Sequence, residues 1–314
     1  MATNANDLFT DVLYRLKTAG VRQNSRNGEV KCLLEPTIWT VMNPHQRVLF
    51  NEERNANPYF HVMETVWMFA GSNEISWLKK FNARIASYAE DNGVVNGAYG
   101  HRWIHHFGRN QIASVVKELQ EDSQSRQAVI GMYDPAQDYL TRWRDRPCNT
   151  HIYFRILGGC LDMTVCNRSN DAVWGLAGAN IVHMTYLQEL IASAIGVPMG
   201  RYYVMTNNLH IYSPHYPLLE APVTLDYYHT RLDVTPEPLI TGDCDWYTFL
   251  YECKQFIAHG SDRNYTNVWL QDTVKPMYEH YMCRLNGDKD TYDTAEVKAK
   301  DWRKACELWR ERNQ

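Results

Sequence analysis

Apolar positions along the chain fall into runs of helical and of strand-like spacing. Over 7–19, Leu8, Val12, Leu13 and Leu16 recur at the period of a helix. Residues 21–30 are polar, contain Arg22, Arg26 and Gly28, and read as a loop, whereas 37–42 is strand-like. Pro58 opens a second helix and Gly71 closes it; Val62, Met63, Val66, Trp67 and Phe69 make it apolar on most sides, with Glu64 set inside that pattern. The Gly-dense stretch 92–103 reads as an irregular loop, and 112–119 as a short helix. Residues 128–133 look like a buried strand, and 152–156 and 161–165 flank Gly158-Gly159 as a β-hairpin. Over 180–195, Met184, Leu187, Leu190, Ile191 and Ala194 mark a helix stopped by Gly196 and Pro198. Strands are predicted at 202–205 and 225–234, and helices near 246–258, 266–282 and 294–311. No internal repeat or low-complexity linker divides the chain. The pattern predicts a single α+β domain over 1–314, a mixed sheet packed with helices, with a helical C-terminal extension from about 246 to 314.

Composition narrows the classes of function. Of 314 residues, 45% are apolar and 22% charged, and the net charge of −4 supplies no general field for nucleic acid, so a bound anion must be held by locally placed arginines. No apolar run approaches the ~20 residues of a membrane span, and no secretory leader pattern opens the chain; the expected location is the cytoplasm. None of the eight cysteines forms a CxxC pair or a zinc-finger pattern. No metal site is proposed, and each cysteine reads by default as a small buried hydrophobe. Cys148 differs in its context.

Chemistry-bearing residues concentrate between Arg146 and Asp171. Pro147 stiffens the approach to Cys148, which leads into the predicted hairpin, and the returning strand ends in Asn167-Arg168-Ser169-Asn170-Asp171. A hairpin brings its open ends together, so Cys148 should face Arg168 and Ser169. A guanidinium there favours the thiolate that a nucleophilic cysteine requires, and Arg168 with Ser169 suits a phosphate or carboxylate. Two further polar clusters sit at element ends: a Gly-Leu-Ala-Gly-Ala loop leading to Asn180, and Asn207 to Tyr212 after a strand. Structural roles compete with these functional ones. Asn180 suits a helix N-cap, Glu64 a paired structural carboxylate, Arg168 a plain surface residue and His210 a satisfied structural histidine.

In order and spacing, the Pro-Cys pair, the Arg-Ser-x-Asp sequence, the Gly-Leu loop ending in Asn and the His-x-Tyr pair resemble the thymidylate synthase superfamily, which includes phage deoxypyrimidine-monophosphate hydroxymethylases. The resemblance runs from about Arg26 to Tyr216. It implies a thymidylate-synthase-like fold and a homodimeric enzyme acting on a deoxypyrimidine monophosphate with 5,10-methylenetetrahydrofolate as cosubstrate, in the host cytoplasm if phage-encoded. Cys148 would attack pyrimidine C6. Arg26, Arg168 and Ser169 would bind the phosphate, and Arg126 would reach the phosphate in the partner subunit. His210 and Tyr212 would hold the deoxyribose 3′-hydroxyl, Asp171 would meet the folate ring, Glu64 and Tyr99 would order water and move protons, and Asn180 would read the base. Attack at C6 makes C5 nucleophilic, and the developing charge on O4 suits a fixed amide donor such as Asn180. Once C5 has taken the one-carbon unit, hydride would give a methyl group and water a hydroxymethyl group.

Four departures from methyl-forming synthases favour water. Ile85 and Tyr88 stand where their folate-contacting tryptophans lie, Asn149 follows the nucleophile in place of a histidine, Gln127 replaces the second of two paired arginines, and the chain ends in Trp309-Arg310-Glu311-Arg312-Asn313-Gln314 without the apolar tail that closes over the folate. Asn180 matches uracil, where cytosine-specific members carry Asp, although the loop before it is one residue longer than usual and leaves Ala179 as the competing alignment. Deoxyuridylate hydroxymethylation is thus the first expectation. A dTMP-forming synthase, a dCMP hydroxymethylase or methylase, and a silent nucleotide- or partner-binding member stay open.

Overall fold

A computed structural model of the chain describes residues 1–139, 142–221, 226–231, 233–242, 244–288 and 294–313. Among the described residues, nine strands form two sheets: β1 (Val21–Ser25), β2 (Gly28–Cys32), β3 (Thr37–Val41), β4 (Val129–Gly131), β5 (Asn149–Leu157), β6 (Cys160–Asn167), β7 (Asn170–Asp171), β8 (Met199–Thr206) and β9 (Leu209–Tyr212). The larger sheet runs β3-β8-β6-β5-β4, antiparallel except for β6 beside β8; the smaller runs β1-β2-β9-β7, antiparallel except for β7 beside β9. The mixed α+β architecture agrees with the sequence pattern.

Two helices form the centre. All 12 residues of Pro58–Phe69 are buried, Glu64 included. Pro58 takes the first-turn position that needs no N–H donor, and the Asn57 side chain caps the Phe60 N–H at 3.1 Å. The Asn180–Ile195 helix is buried through Ala192 apart from Asn180 itself and ends at Gly196, whose φ of 76° is the left-handed conformation that lets the chain turn away. Its buried Glu189 is held by Arg47 at 2.5 Å and by the Leu239 N–H at 2.8 Å, so the charge enters the core with its partners.

Five local expectations are corrected. Residues 21–30 form the β1–β2 hairpin with Arg26 in its turn; alternating polarity is absent because every side chain of β1 is exposed. Within the Gly-dense stretch, Tyr99–Ile104 is helical. Arg102 fastens this turn by a two-point ion pair to Asp138, each contact 2.8 Å, and by donating to the Asn96 and Met132 carbonyls. The strand predicted at 225–234 is a helical turn at Tyr227–Thr230, capped by Asp226, while Leu225 and Leu232 lie outside the described residues. The helix expected near 266–282 spans Leu270–Val274 and Lys275–Leu285. Finally, Asn180 is not the N-cap of its helix; Ala179 occupies that place and no side chain caps it.

Helices from the C-terminal part lie on the Pro58–Phe69 helix. Phe249 meets Phe69 edge-on at 5.2 Å, Trp309 and Tyr281 meet Tyr59 at 5.4 and 5.2 Å, and Phe256 meets Trp77 at 6.0 Å. These residues belong to the same apolar cluster as the sheet and the central helices. Among the described residues, no helix is long and apolar enough to cross a membrane.

Candidate active site

The β5–β6 hairpin turns at Gly158-Gly159, both at positive φ, and brings its open ends together as the sequence predicts. The Arg168 N–H donates to the Cys148 carbonyl at 2.9 Å. The Arg168 guanidinium donates to the carbonyls of Pro147 and Arg146, both at 3.0 Å, and so clamps the loop that presents the nucleophile. Burial nevertheless pushes the Cys148 thiol up; Arg168 and Arg26 pull it down, while Asp145 and Asp171 add to the rise. The guanidinium acts in the expected direction, toward the thiolate, but the desolvation of the buried sulfur is the larger influence and the net shift is upward.

Around this sulfur, Tyr99 accepts a hydrogen bond from the Asn149 N–H, and its hydroxyl is held well above the ordinary phenol value by burial and by the nearby Cys148 and Asp145. Asp145 is raised to about 6 by burial, against the pull of Arg168 and Arg102, and is held by the N–H groups of Gly97 and Arg146. A side chain at Gly97 would begin 2.2 Å from Asp145 Oδ2, so only glycine admits this carboxylate. Tyr88, at the end of the short helix Ala83–Tyr88, lies within electrostatic reach of Asp145, Tyr212, Asp171 and Cys148. Ile85 is half-buried in the same turn.

The smaller sheet supplies the next wall. In register, Asp171 lies beside His210 and Asn170 beside Leu209. His210 is turned by Asn208, whose side-chain oxygen lies 3.1 Å from Nδ1, and meets the Tyr212 ring edge-on at 5.0 Å. Asn27, beside Arg26 in the exposed β1–β2 turn, reaches the Tyr212 hydroxyl at 3.5 Å. Ser169 is half-buried between β6 and β7. Asp171 accepts the Val173 N–H at 2.8 Å and faces Arg54, a half-buried arginine lowered to about 10 by desolvation.

Asn180 donates through Nδ2 to Asn170 Oδ1 at 3.2 Å. This bond crosses the backbone of Gly175, where an added Cβ would lie 2.1 Å from Asn170 Oδ1. One helical turn on, His183 is 2% exposed and its Nδ1 lies 3.7 Å from Glu64 Oε2. Its ring meets Tyr99 edge-on at 5.7 Å. Arg126 is exposed, on the segment between the Gln111–Glu121 helix and β4.

Cys148, Arg168, Arg26, Tyr99, Tyr88 and Asp171 thus gather around one site, with Tyr212 and His210 on its sheet wall. Sequence inspection missed Asp145, Asn170, His183 and Arg54. His183 had a signal, one turn after Asn180, and Asp145 had one, three residues before the nucleophile. Arg54 had none, because its loop joins the site only through tertiary packing.

The thymidylate synthase family profile matches residues 8–244. A deoxyuridylate hydroxymethyltransferase of Pseudomonas phage M6 is 34% identical over 98% of this chain and 92% of its own length. The enzyme of the same name from Bacillus phage SP01 is 32% identical over 74% of this chain and 63% of its own. That of Delftia phage PhiW-14 is 31% identical over 64% and 58%. The extent of these matches, on a mixed α+β fold, establishes that the chain belongs to the thymidylate synthase family.

Proposed function

We propose that the protein converts deoxyuridine monophosphate to its 5-hydroxymethyl derivative, with Cys148 as the nucleophile. The observation that carries this reading is the meeting of Cys148, Arg168, Arg26 and Tyr99 at the open end of one hairpin. The near full-length likeness to a deoxyuridylate hydroxymethyltransferase supports it.

Arg168, Arg26 and Ser169 hold the phosphate, and Arg126 completes that pocket from a second subunit. His210 and Tyr212, fixed by Asn208 and Asn27, receive the sugar 3′-hydroxyl. With Nδ2 already donating one hydrogen to Asn170, Asn180 keeps a second N–H for O4 and its oxygen for N3–H, which is the pattern of uracil. Cys148 adds to C6 after losing its proton, and charge accumulates on O4 where Asn180 stabilises it. The Asp171 carboxylate, the half-exposed Tyr88, Ile85 and the exposed face of Trp174 offer one acceptor among flat apolar surfaces, which fits a pteridine ring. Methylenetetrahydrofolate bound there supplies the one-carbon unit. The proton lost from C5 passes to water through the Tyr99 hydroxyl, which stays a phenol and so relays the proton without keeping it. Tyr88 and Ile85 present less shielding than an indole, leaving the exocyclic methylene open to water. Addition of water forms the C–O bond, and collapse of the enolate expels the sulfur from C6.

Cys148→Ser tests the nucleophile. Release of tritium from 5-tritiated deoxyuridine monophosphate should fall by about 10³-fold or more, with nucleotide binding retained. Undiminished release would remove Cys148 from the reaction.

A further inference from the structure

His183 and Glu64 form a buried polar pair that the contacts of the fold leave incomplete. Among the described residues, His183 Nδ1, His183 Nε2 and Glu64 Oε2 are all buried without a hydrogen-bond partner. The 3.7 Å between Nδ1 and Oε2 is too long for a hydrogen bond and too short to be unrelated. Leaving such groups unmatched in a core is unfavourable, and is tolerated where a small polar ligand completes the set. The His183 ring packs edge-on against Tyr99, whose hydroxyl lies within electrostatic reach of Cys148. His183 also rises one turn from Asn180 on the same helix, so its imidazole lies beneath the position proposed for the pyrimidine. Asn149, directly after the nucleophile, donates one amide hydrogen to the Cys166 carbonyl at 3.0 Å, and its Oδ1 is a further buried acceptor at this end of the hairpin.

We infer that His183 is a positioning residue that, with Glu64, holds the water which adds to the exocyclic methylene. This rests on the hydroxymethylation reading and deepens it. His183 and Glu64 grip one water; its oxygen attacks the methylene carbon, and the C5–methylene π pair moves through C4 onto O4. The proton released from that water goes to Glu64. The enolate then reforms the C5–C6 double bond and expels the Cys148 sulfur as thiolate, which recovers a proton from Glu64.

The test is the ratio of hydroxymethyl product to tritium released from C5, a quantity independent of how much of a variant is folded. In the unaltered protein it should be near one. In His183→Leu it should fall by about tenfold or more, the lower range for loss of a proton-transfer arrangement, and added 2-mercaptoethanol should be captured as a thioether at the C5 methylene. His183→Gln, which keeps a polar group in the buried site, should give an intermediate ratio. An unchanged ratio in both variants would overturn the inference. Failure of the underlying reading looks different: the unaltered protein itself would then yield a methyl product with dihydrofolate, whatever residue stands at 183.

Discussion

Opposed influences act on the sulfur of Cys148: burial and two carboxylates hold its proton on, and two arginines draw it off. Because the charged form is the disfavoured one, the reactive fraction in the free protein is small at neutral pH and grows as pH rises. Alkylation of Cys148 by iodoacetamide should therefore have a midpoint above that of an ordinary protein thiol. Arg168→Ala should move it higher still, since a charge that lowers the thiol is lost. A midpoint below the ordinary value would show that the arginines prevail. The hairpin logic that put Cys148 beside Arg168 was legible in the sequence, because strand pairing fixes which ends meet. The sign of the thiol's shift was not, because it depends on how deeply the loop is buried. Asn180 illustrates the same divide. Its residue type suits an N-cap, yet its side chain turns to Asn170, ten residues back, and only the folded loop reveals that partner.

Elements with strong periodicity were read correctly and those set by tertiary contacts were not. The Pro58–Phe69 and Asn180–Ile195 helices carry their stop and start signals in sequence. The β1 strand has no buried face, and the Tyr99–Ile104 turn is fastened by Arg102 to a distant carboxylate, so neither leaves a local pattern. Contacts of the C-terminal helices predict that the extension contributes to stability as well as covering the core. Phe249 is fully buried and meets Phe69 and Trp269. Phe249→Ala should cost about 3–5 kcal/mol, seen as a lowered urea midpoint with one cooperative transition. A separate early transition for the C-terminal helices would instead mark them as an independent unit. In the kinked segment Ala172–Ala179, Gly175→Ala would force a side chain against the Asn170–Asn180 bond. It should weaken nucleotide binding and cost about 1–3 kcal/mol of stability, the range of overpacking a close-packed site.

At the scale of the whole molecule, the proposed phosphate pocket draws on a second subunit through Arg126, which stands exposed on the surface. Mixing Arg126→Ala with Cys148→Ser chains, each inactive alone, tests this directly. In a mixed dimer one site takes an intact Cys148 from one chain and an intact Arg126 from the other. Random re-association of a symmetric dimer should thus restore about a quarter of the parent activity. No recovery would confine Arg126 to its own subunit or remove it from the site.

The choice between water and hydride decides the chemistry. The nucleotide formed from deoxyuridine monophosphate and methylenetetrahydrofolate is weighed by mass spectrometry while absorbance follows dihydrofolate. A gain of CH2O with no dihydrofolate is the predicted result. A gain of CH2, with dihydrofolate rising in step, would contradict it.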